Sequence, residues 1–333
     1  MTKRKLSHQQ SRRIAQNQQR RSRQASEQPQ GSGIDEHGLV IARFSKQADI
    51  EAADGKVWRC HLRANLGDIV TGDRVVWQQH DESSGVIVSV EPCRNRLQRP
   101  DSYGKMRAVA ANIDQVLITL APEPEPHTGL IDRYLVAAEN LGVTPVLLVN
   151  KSDLLSSENE HPIEKQLIHY RNIGYNVIRA SAKTASGMDQ LKHVLKSKIS
   201  IFAGQSGVGK SSLIQQLLPG EDIKIGELSE QVAKGRHTTT HSRLYHFPDG
   251  GDCIDSPGIR EFGLWHLNKD EVIQGFVELK PLAGQCKFRD CNHEQEPGCA
   301  INTAVEKGQI SAERFSSFRR IIGSLDDVDI KTF

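Results

Sequence analysis

Aromatic residues make up only 5% of this 333-residue chain, and cysteine occurs six times, methionine and tryptophan three times each. So few cysteines over such a length exclude a disulfide-built secreted scaffold and make a reducing compartment, the cytoplasm, the expected location. No stretch approaches the roughly 18 continuous apolar residues that a membrane helix needs, and mean hydropathy is -0.49. No membrane partner is expected. The N-terminus lacks the apolar segment of a secretory signal. An excess of one charge is missing too: 43 Lys+Arg oppose 41 Asp+Glu, a formal +2. What the chain does have is enough length for two or three ordinary domains.

The near-zero charge hides an asymmetry. Residues 1–30 carry eight Lys/Arg and one acid, Glu27, so the arm is +7 and the remainder −5. Basic, rich in Gln and Ser and nearly devoid of apolar residues, residues 1–33 are expected to form a disordered basic arm, because they cannot bury a core. Clustered cations bind polyphosphate through counterion release, which suggests a nucleic-acid arm; an inert solubilising tail and an organellar transit peptide are the other readings.

Residues 34–100 read as an OB-type β-barrel: short β-like runs at 39–44, 56–62, 74–78 and 86–90, punctuated by Gly and Asp. Phe44, Trp58 and Trp77 are either stacking groups for single-stranded nucleic acid or ordinary core. The basic cluster Arg94, Arg96, Arg99, Lys105 and Arg107 reads as an interdomain connector. From 101 to 265 strands alternate with helices: strands at 114–120, 145–149, 176–179 and 198–203, helices at 130–140, 162–172, 188–195 and 210–218. That alternation predicts an α/β domain with a parallel sheet covered on both faces and ligands at the strands' carboxyl ends. Residues 266–333 are expected to be mainly helical.

The chemistry is concentrated in four segments. Gly204-Gln205-Ser206-Gly207-Val208-Gly209-Lys210-Ser211, followed by Ser212, fits G-x-x-x-x-G-K-[ST] between a strand and a helix. There backbone N–H groups, the helix N-terminus and Lys210 would hold the phosphates, and Ser211 a Mg²⁺ ion. Asn150-Lys151-Ser152-Asp153 has the N-K-x-D form, in which the Asp153 carboxylate accepts from both N–H donors of guanine; adenine offers none there, so GTP and GDP are the expected ligands. Ser181-Ala182-Lys183 suits a backbone-mediated loop that supports the base. Asp255-Ser256-Pro257-Gly258 fits D-x-x-G, with Asp255 toward Mg²⁺ and Gly258 toward the γ-phosphate, and 235–240 (Gly-Arg-His-Thr-Thr-Thr) reads as a first switch with Thr238, Thr239 or Thr240 on Mg²⁺.

The order of these segments is not the usual one. N-K-x-D precedes the phosphate loop, and D-x-x-G comes last. A circular permutation explains this with the site geometry intact, since domain termini commonly lie close together. Further on, Cys286-x4-Cys291-x-His293-x5-Cys299 supplies the three thiolates and one imidazole of a closed, structural zinc site; reduced buried thiols or a disulfide are the alternatives. Cys60, Cys93 and Cys253 read as small apolar residues.

The permuted order, the G-R-H-T-T-T segment, the leading barrel and the trailing Cys/His cluster together resemble the RsgA family of circularly permuted GTPases (YjeQ/EngC type). That resemblance implies a GTP-hydrolysing factor in late maturation of the 30S ribosomal subunit, stimulated by the subunit and binding its 16S rRNA, with one structural zinc ion and Mg²⁺ with GTP. It strengthens the zinc reading. Ile259 occupies the place after D-x-x-G where Ras-like enzymes carry a water-positioning Gln, and an apolar side chain cannot orient water. His237 is the candidate for that task, with Lys210 the other catalytic group; packing or RNA binding is the competing role for His237. The alternative for the whole protein is a GTP-gated RNA-binding protein with negligible hydrolysis. Nothing in the sequence demands more than a monomer.

Overall fold

The computed structural model describes residues 35–63, 66–101, 103–126, 128–155, 161–219, 242–255 and 267–325. The arm expected at 1–33 lies outside them.

Five strands, β1 (Glu36–Arg43), β2 (Gln47–Ala52), β3 (Val57–Leu62), β4 (Arg74–Gln79) and β5 (Ser84–Val90), run in the order β1-β2-β3-β5-β4, and a β1–β4 pairing closes them into a barrel. All neighbours are antiparallel except β3 and β5. Strand β2 alternates polar and apolar residues, but it does so with Ala, Asp and Glu, types depleted in strands, which leaves its β signal weak. Ala48 and Ile50 point into the core, while Asp49 is buried and ion-paired to Arg59 on β3. The core holds Val40, Ile50, Cys60, Val75, Trp77 and Ile87. Trp77 is 1% exposed and its ring centre lies 5.2 Å from that of the partly buried Trp58, so Trp77 is packing.

The cluster expected to be a connector is instead a β-hairpin. β6 (Arg96–Pro100) pairs antiparallel with β7 (Met106–Ala111). Three of its cations are spent on internal partners. Arg94 reaches Asp114 at 2.6 Å, Arg96 reaches the fully buried Asp73 at 2.6 Å, and Arg107 reaches Asp101 at 3.0 Å. Alternation was hidden here because Arg and Gln side chains fill both faces of β6.

The α/β part follows the predicted pattern closely. Strands β8 (Gln115–Leu120), β9 (Thr144–Val149), β10 (Asn176–Arg179), β11 (Ile199–Ala203), β12 (Arg243–His246) and β13 (Asp252–Asp255) are ordered β10-β9-β8-β11-β13-β12. All are parallel except the β12–β13 pair. Every residue of β8 is buried, as expected of a central parallel strand covered on both faces. Ile118 and Leu120 pack with Ile131 and Leu135 of α1 (Thr128–Leu141) and with Ile163 and Leu167 of α2 (Pro162–Ile173). On the other face, Leu117 packs with Leu191 of α3 (Met188–Leu195) and Leu213 of α4 (Lys210–Leu217).

Barrel and α/β sheet are continuous, because β1 pairs with β12 at Ala42 and Arg243. His246 reinforces the seam: its Nδ1 lies 2.7 Å from Asp252 and its Nε2 3.0 Å from Glu51 of β2. Asp252 and Glu51 outweigh partial burial and raise the imidazole above its ordinary range.

The C-terminal region contains α5 (Lys269–Gln274), α6 (Ala300–Glu306) and α7 (Ala312–Leu325). Its core, with Val272, Phe276, Leu279, Ile301 and Phe318, includes Val136 of α1, so it packs directly on the α/β part. A charged knot secures this contact. Arg314 of α7, 2% exposed, pairs with Asp132 of α1 and donates to Glu278 at 2.6 and 3.0 Å, while Tyr170 of α2 donates to Asp132 at 2.7 Å. Burial opposes the guanidinium charge, but Glu278 and Asp132 outweigh it and raise the Arg314 pKa. Removing the cation leaves two acids unpaired in the interior. Arg314→Ala is therefore expected to cost about 3–5 kcal/mol, read as a lowered urea midpoint by circular dichroism, whereas Arg319→Ala on the exposed face of the same helix shifts it little.

Candidate functional site

Because β8, β9, β11 and β13 are parallel, their carboxyl ends share one edge of the sheet, and the predicted segments meet there. Strand β11 ends at Ala203 and α4 begins at Lys210, so residues 204–209 form the turn between them. Glycine is required at both ends of that turn. Gly204 has φ +139° and a Cβ there would lie 2.3 Å from the Thr119 carbonyl oxygen; Gly209 has φ +87° and a Cβ there would lie 2.3 Å from Asn150 Nδ2. A Gly-rich turn running into a helix N-terminus is the arrangement in which successive N–H groups can hold phosphate. Lys210 Nζ donates to the carbonyls of Gly204 at 2.6 Å and Gln205 at 2.8 Å, placing the ammonium across the loop's mouth. Val208 is buried beneath the loop, Ser206 and Gly207 are exposed, and Ser211 and Ser212 lie in the first turn of the helix.

Asn150 follows β9 and is 2% exposed. Its Nδ2 donates to Val208 O at 2.8 Å and Gly209 O at 3.3 Å, and its Oδ1 accepts from Ala182 N at 3.2 Å. One carboxamide thus holds the phosphate loop and the Ser181-Ala182-Lys183 loop together. Lys151 takes a left-handed conformation (φ +57°) and donates to the Glu123 carbonyl at 2.7 Å. Asp153 sits in a single 3₁₀ turn, Ser152–Leu154, where it accepts a 2.5 Å hydrogen bond from Ser181 Oγ. That bond holds its carboxyl below the usual range, so it is an acceptor at neutral pH. A cavity of about 420 Å³ lies among Asn150, Lys151, Asp153, Ala182, Lys183 and Ser212, within the range of small-ligand sites.

Asp255 ends β13, the neighbour of β11, and so reaches the same edge. His237, Thr238, Thr239, Thr240 and Gly258 lie outside the described residues. Sequence reasoning missed the loop after β8. There Pro124 O accepts from Gln205 Nε2 at 2.9 Å and Glu123 O from Lys151, and only main-chain oxygens are involved, so no residue type marks them.

Some distance along the chain, Cys286, Cys291, His293 and Cys299 converge, with their ligating atoms all within 4.8 Å of one another. Cys286 Sγ and Cys299 Sγ are 3.9 Å apart, and His293 Nδ1 lies 3.5 Å from each. None of the three cysteines is in a disulfide. His293 adopts φ +60° to turn inward and is buried, which lowers its pKa and keeps the imidazole neutral, the form that ligates metal. This cluster can hold a metal ion.

A Gly-rich turn of phosphate-loop form, an N-K-x-D segment beside it and a β13 acid, met in permuted order on a parallel sheet, are the features of a circularly permuted P-loop GTPase. Comparison with solved structures agrees. The crystal structure of YjeQ from Thermotoga maritima superposes with a TM-score of 0.73 at 32% identity, covering 88% of this chain and 99% of that one. The crystal structure of YloQ, described as a circularly permuted GTPase, gives 0.71 at 26% identity, covering 90% and 98%. The family model for the RsgA GTPase matches residues 90–265. Among curated relatives, the small ribosomal subunit biogenesis GTPase RsgA of Saccharophagus degradans is 52% identical over 343 aligned residues, 99% of this chain and 100% of that protein. Its namesake in Pseudomonas aeruginosa (strain PAO1) is 50% identical over 338, 99% and 100%. The chain belongs to the RsgA GTPase family.

The Gly209 contact yields a sharp test of the site. Gly209→Ala forces a methyl against the Asn150 amide in a backbone conformation that alanine resists. GDP affinity, measured by titration of a fluorescent guanine nucleotide, is expected to fall at least tenfold, with far-ultraviolet circular dichroism unchanged.

Proposed function

We propose that this GTPase acts in late maturation of the 30S ribosomal subunit, binding 16S rRNA and hydrolysing GTP when the subunit stimulates it. The observation that carries this reading is the end-to-end correspondence with relatives named for small ribosomal subunit biogenesis, 52% identical over 99% of the chain. The site supports it residue by residue. Asp153 accepts from guanine, Ala182 and its neighbours Ser181 and Lys183 cover the base, and the N–H groups of 204–209 with Lys210 bind the phosphates. Ser211, Asp255 and one of Thr238 to Thr240 would hold Mg²⁺, which supplies charge neutralisation at the β- and γ-phosphates when bound. His237 orients the attacking water, since Ile259 cannot. Residues 1–33, the barrel at 34–100 and the module at 266–333 are the RNA- and protein-binding flanks of the GTPase domain at 101–265. The protein works as a cytoplasmic monomer.

Zinc suits the Cys/His cluster. Tetrahedral coordination at ordinary Zn–S and Zn–N lengths separates ligands by about 3.8 Å (S–S) and 3.5 Å (S–N). The cluster has 3.9 Å and 3.5 Å at the measured pairs. With three thiolates and one imidazole the shell is closed, and the ion's contribution is structural. Chelation of zinc is therefore expected to make residues 267–325 sensitive to protease while guanine nucleotide binding persists; equal protease resistance with and without chelator would refute the zinc assignment.

The central test is GTP turnover alone, with purified 30S particles and with 50S particles. Stimulation is expected only by 30S, and His237→Ala is expected to remove most of it while sparing GTP affinity. Binding to 30S that depends on GTP but brings no extra turnover would establish the gated-binding reading instead.

A further inference from the structure

Among the described residues, few large apolar side chains stand in the open, and one of them is 42% exposed Phe288. Phe288 lies between two members of the Cys/His cluster, in the loop Cys286-Lys287-Phe288-Arg289-Asp290-Cys291, with Lys287 and Arg289 exposed on either side. Lys287 Nζ is 5.4 Å from the centre of the ring. Although Cys286 and Cys291 pack against the C-terminal core, Phe288 is not among the side chains that do.

The loop that carries this ring is held in place. Lys287 N–H donates to Gly298 O at 3.0 Å. Gly298, at φ +81°, permits the approach, since a Cβ there would sit 2.9 Å from Lys287 Cβ. The two ends are tied into the converging thiols and imidazole. An aromatic group is therefore presented to solvent by a constrained backbone, at no benefit to the core.

The flanking charges decide what fits against it. An apolar protein pocket closing over Phe288 would desolvate Lys287 and Arg289 without pairing them, which is costly. An unpaired nucleotide has the complementary form: a planar base for the ring face and phosphates on both sides for the cations. A base inside a duplex is already stacked and offers no free face.

We propose that Lys287-Phe288-Arg289 is a stacking platform for an unpaired RNA base, with Phe288 against the base and the two cations on the adjoining phosphates. This rests on the reading that the protein works on ribosomal RNA, and it names which form of RNA the C-terminal module takes.

The test uses the full-length, zinc-loaded protein and fluorescence anisotropy with a fluorescein-labelled single-stranded RNA 12-mer, free and annealed to its complement. Phe288→Leu keeps apolar bulk and loses the ring. It is expected to weaken single-strand binding about tenfold and duplex binding little, with Phe288→Trp restoring affinity. Lys287→Gln is expected to reduce the slope of log affinity against log salt by about 0.7, which Phe288→Leu leaves unchanged. Bound zinc, thermal midpoint and intrinsic GTP turnover should match the wild type in all three variants. Unchanged single-strand binding in Phe288→Leu, equal losses in Phe288→Leu and Phe288→Trp, or a wild type that binds neither RNA would overturn the proposal. The functional reading is judged separately, by wild-type turnover with 30S particles: stimulation that survives in Phe288→Leu alongside unchanged RNA binding sinks the platform and leaves that reading intact.

Discussion

The carboxamide of Asn150 sits where three loops must agree. Its two N–H bonds reach the phosphate loop, its oxygen takes the Ala182 N–H, and its backbone directly follows β9. The Gly-rich turn and the Ser181-Ala182-Lys183 loop are thereby held at a fixed separation. The carboxamide is buried, so each of its bonds forms away from water, where an unmade partner is costly. This explains why Gly209 must lack a side chain: the space its Cβ would need is already occupied by Asn150.

Permutation leaves this arrangement untouched, because the geometry depends on strand adjacency and not on chain order. Strand β13, carrying Asp255, lies between β11 and β12, and β12 pairs with β1 of the barrel. The strand pair that carries Asp255 is therefore continuous with the barrel on one side. On the other, α1 shares Val136 and Asp132 with the C-terminal core. The barrel is thus joined to the α/β part by strand pairing and the C-terminal region by buried contacts. Arg314 is a costly group to bury, and its cost is offset by the pairing with both Asp132 and Glu278.

Much of this was legible in the residues themselves. Strands and helices of the α/β part carry apolar runs at their own periods, and β10 and α3 match the predicted bounds, as does the Gly-rich turn. Short polar elements were not legible. Strand β2 alternates correctly but with Ala, Asp and Glu, poor strand formers, and the hairpin of β6 and β7 looks like a basic linker because the acids that pair its Arg side chains, Asp73 for Arg96 among them, are not evident from local pattern. No local pattern reports a partner 23 residues away.

Visible along the chain are glycines where φ must be positive, a lysine and serine after them, the acid of the N-K-x-D segment, and three cysteines and a histidine within reach of one ion. These are properties of residue type and near spacing. Tertiary structure alone decided what those residues face. It set the Asn150 ties, the main-chain oxygens of Glu123 against Lys151 and of Pro124 against Gln205, the burial of Arg314 between two acids, and the outward display of Phe288. Each depends on segments that meet only when the sheet and its covering helices have packed, so their contact energies have no signature along the chain.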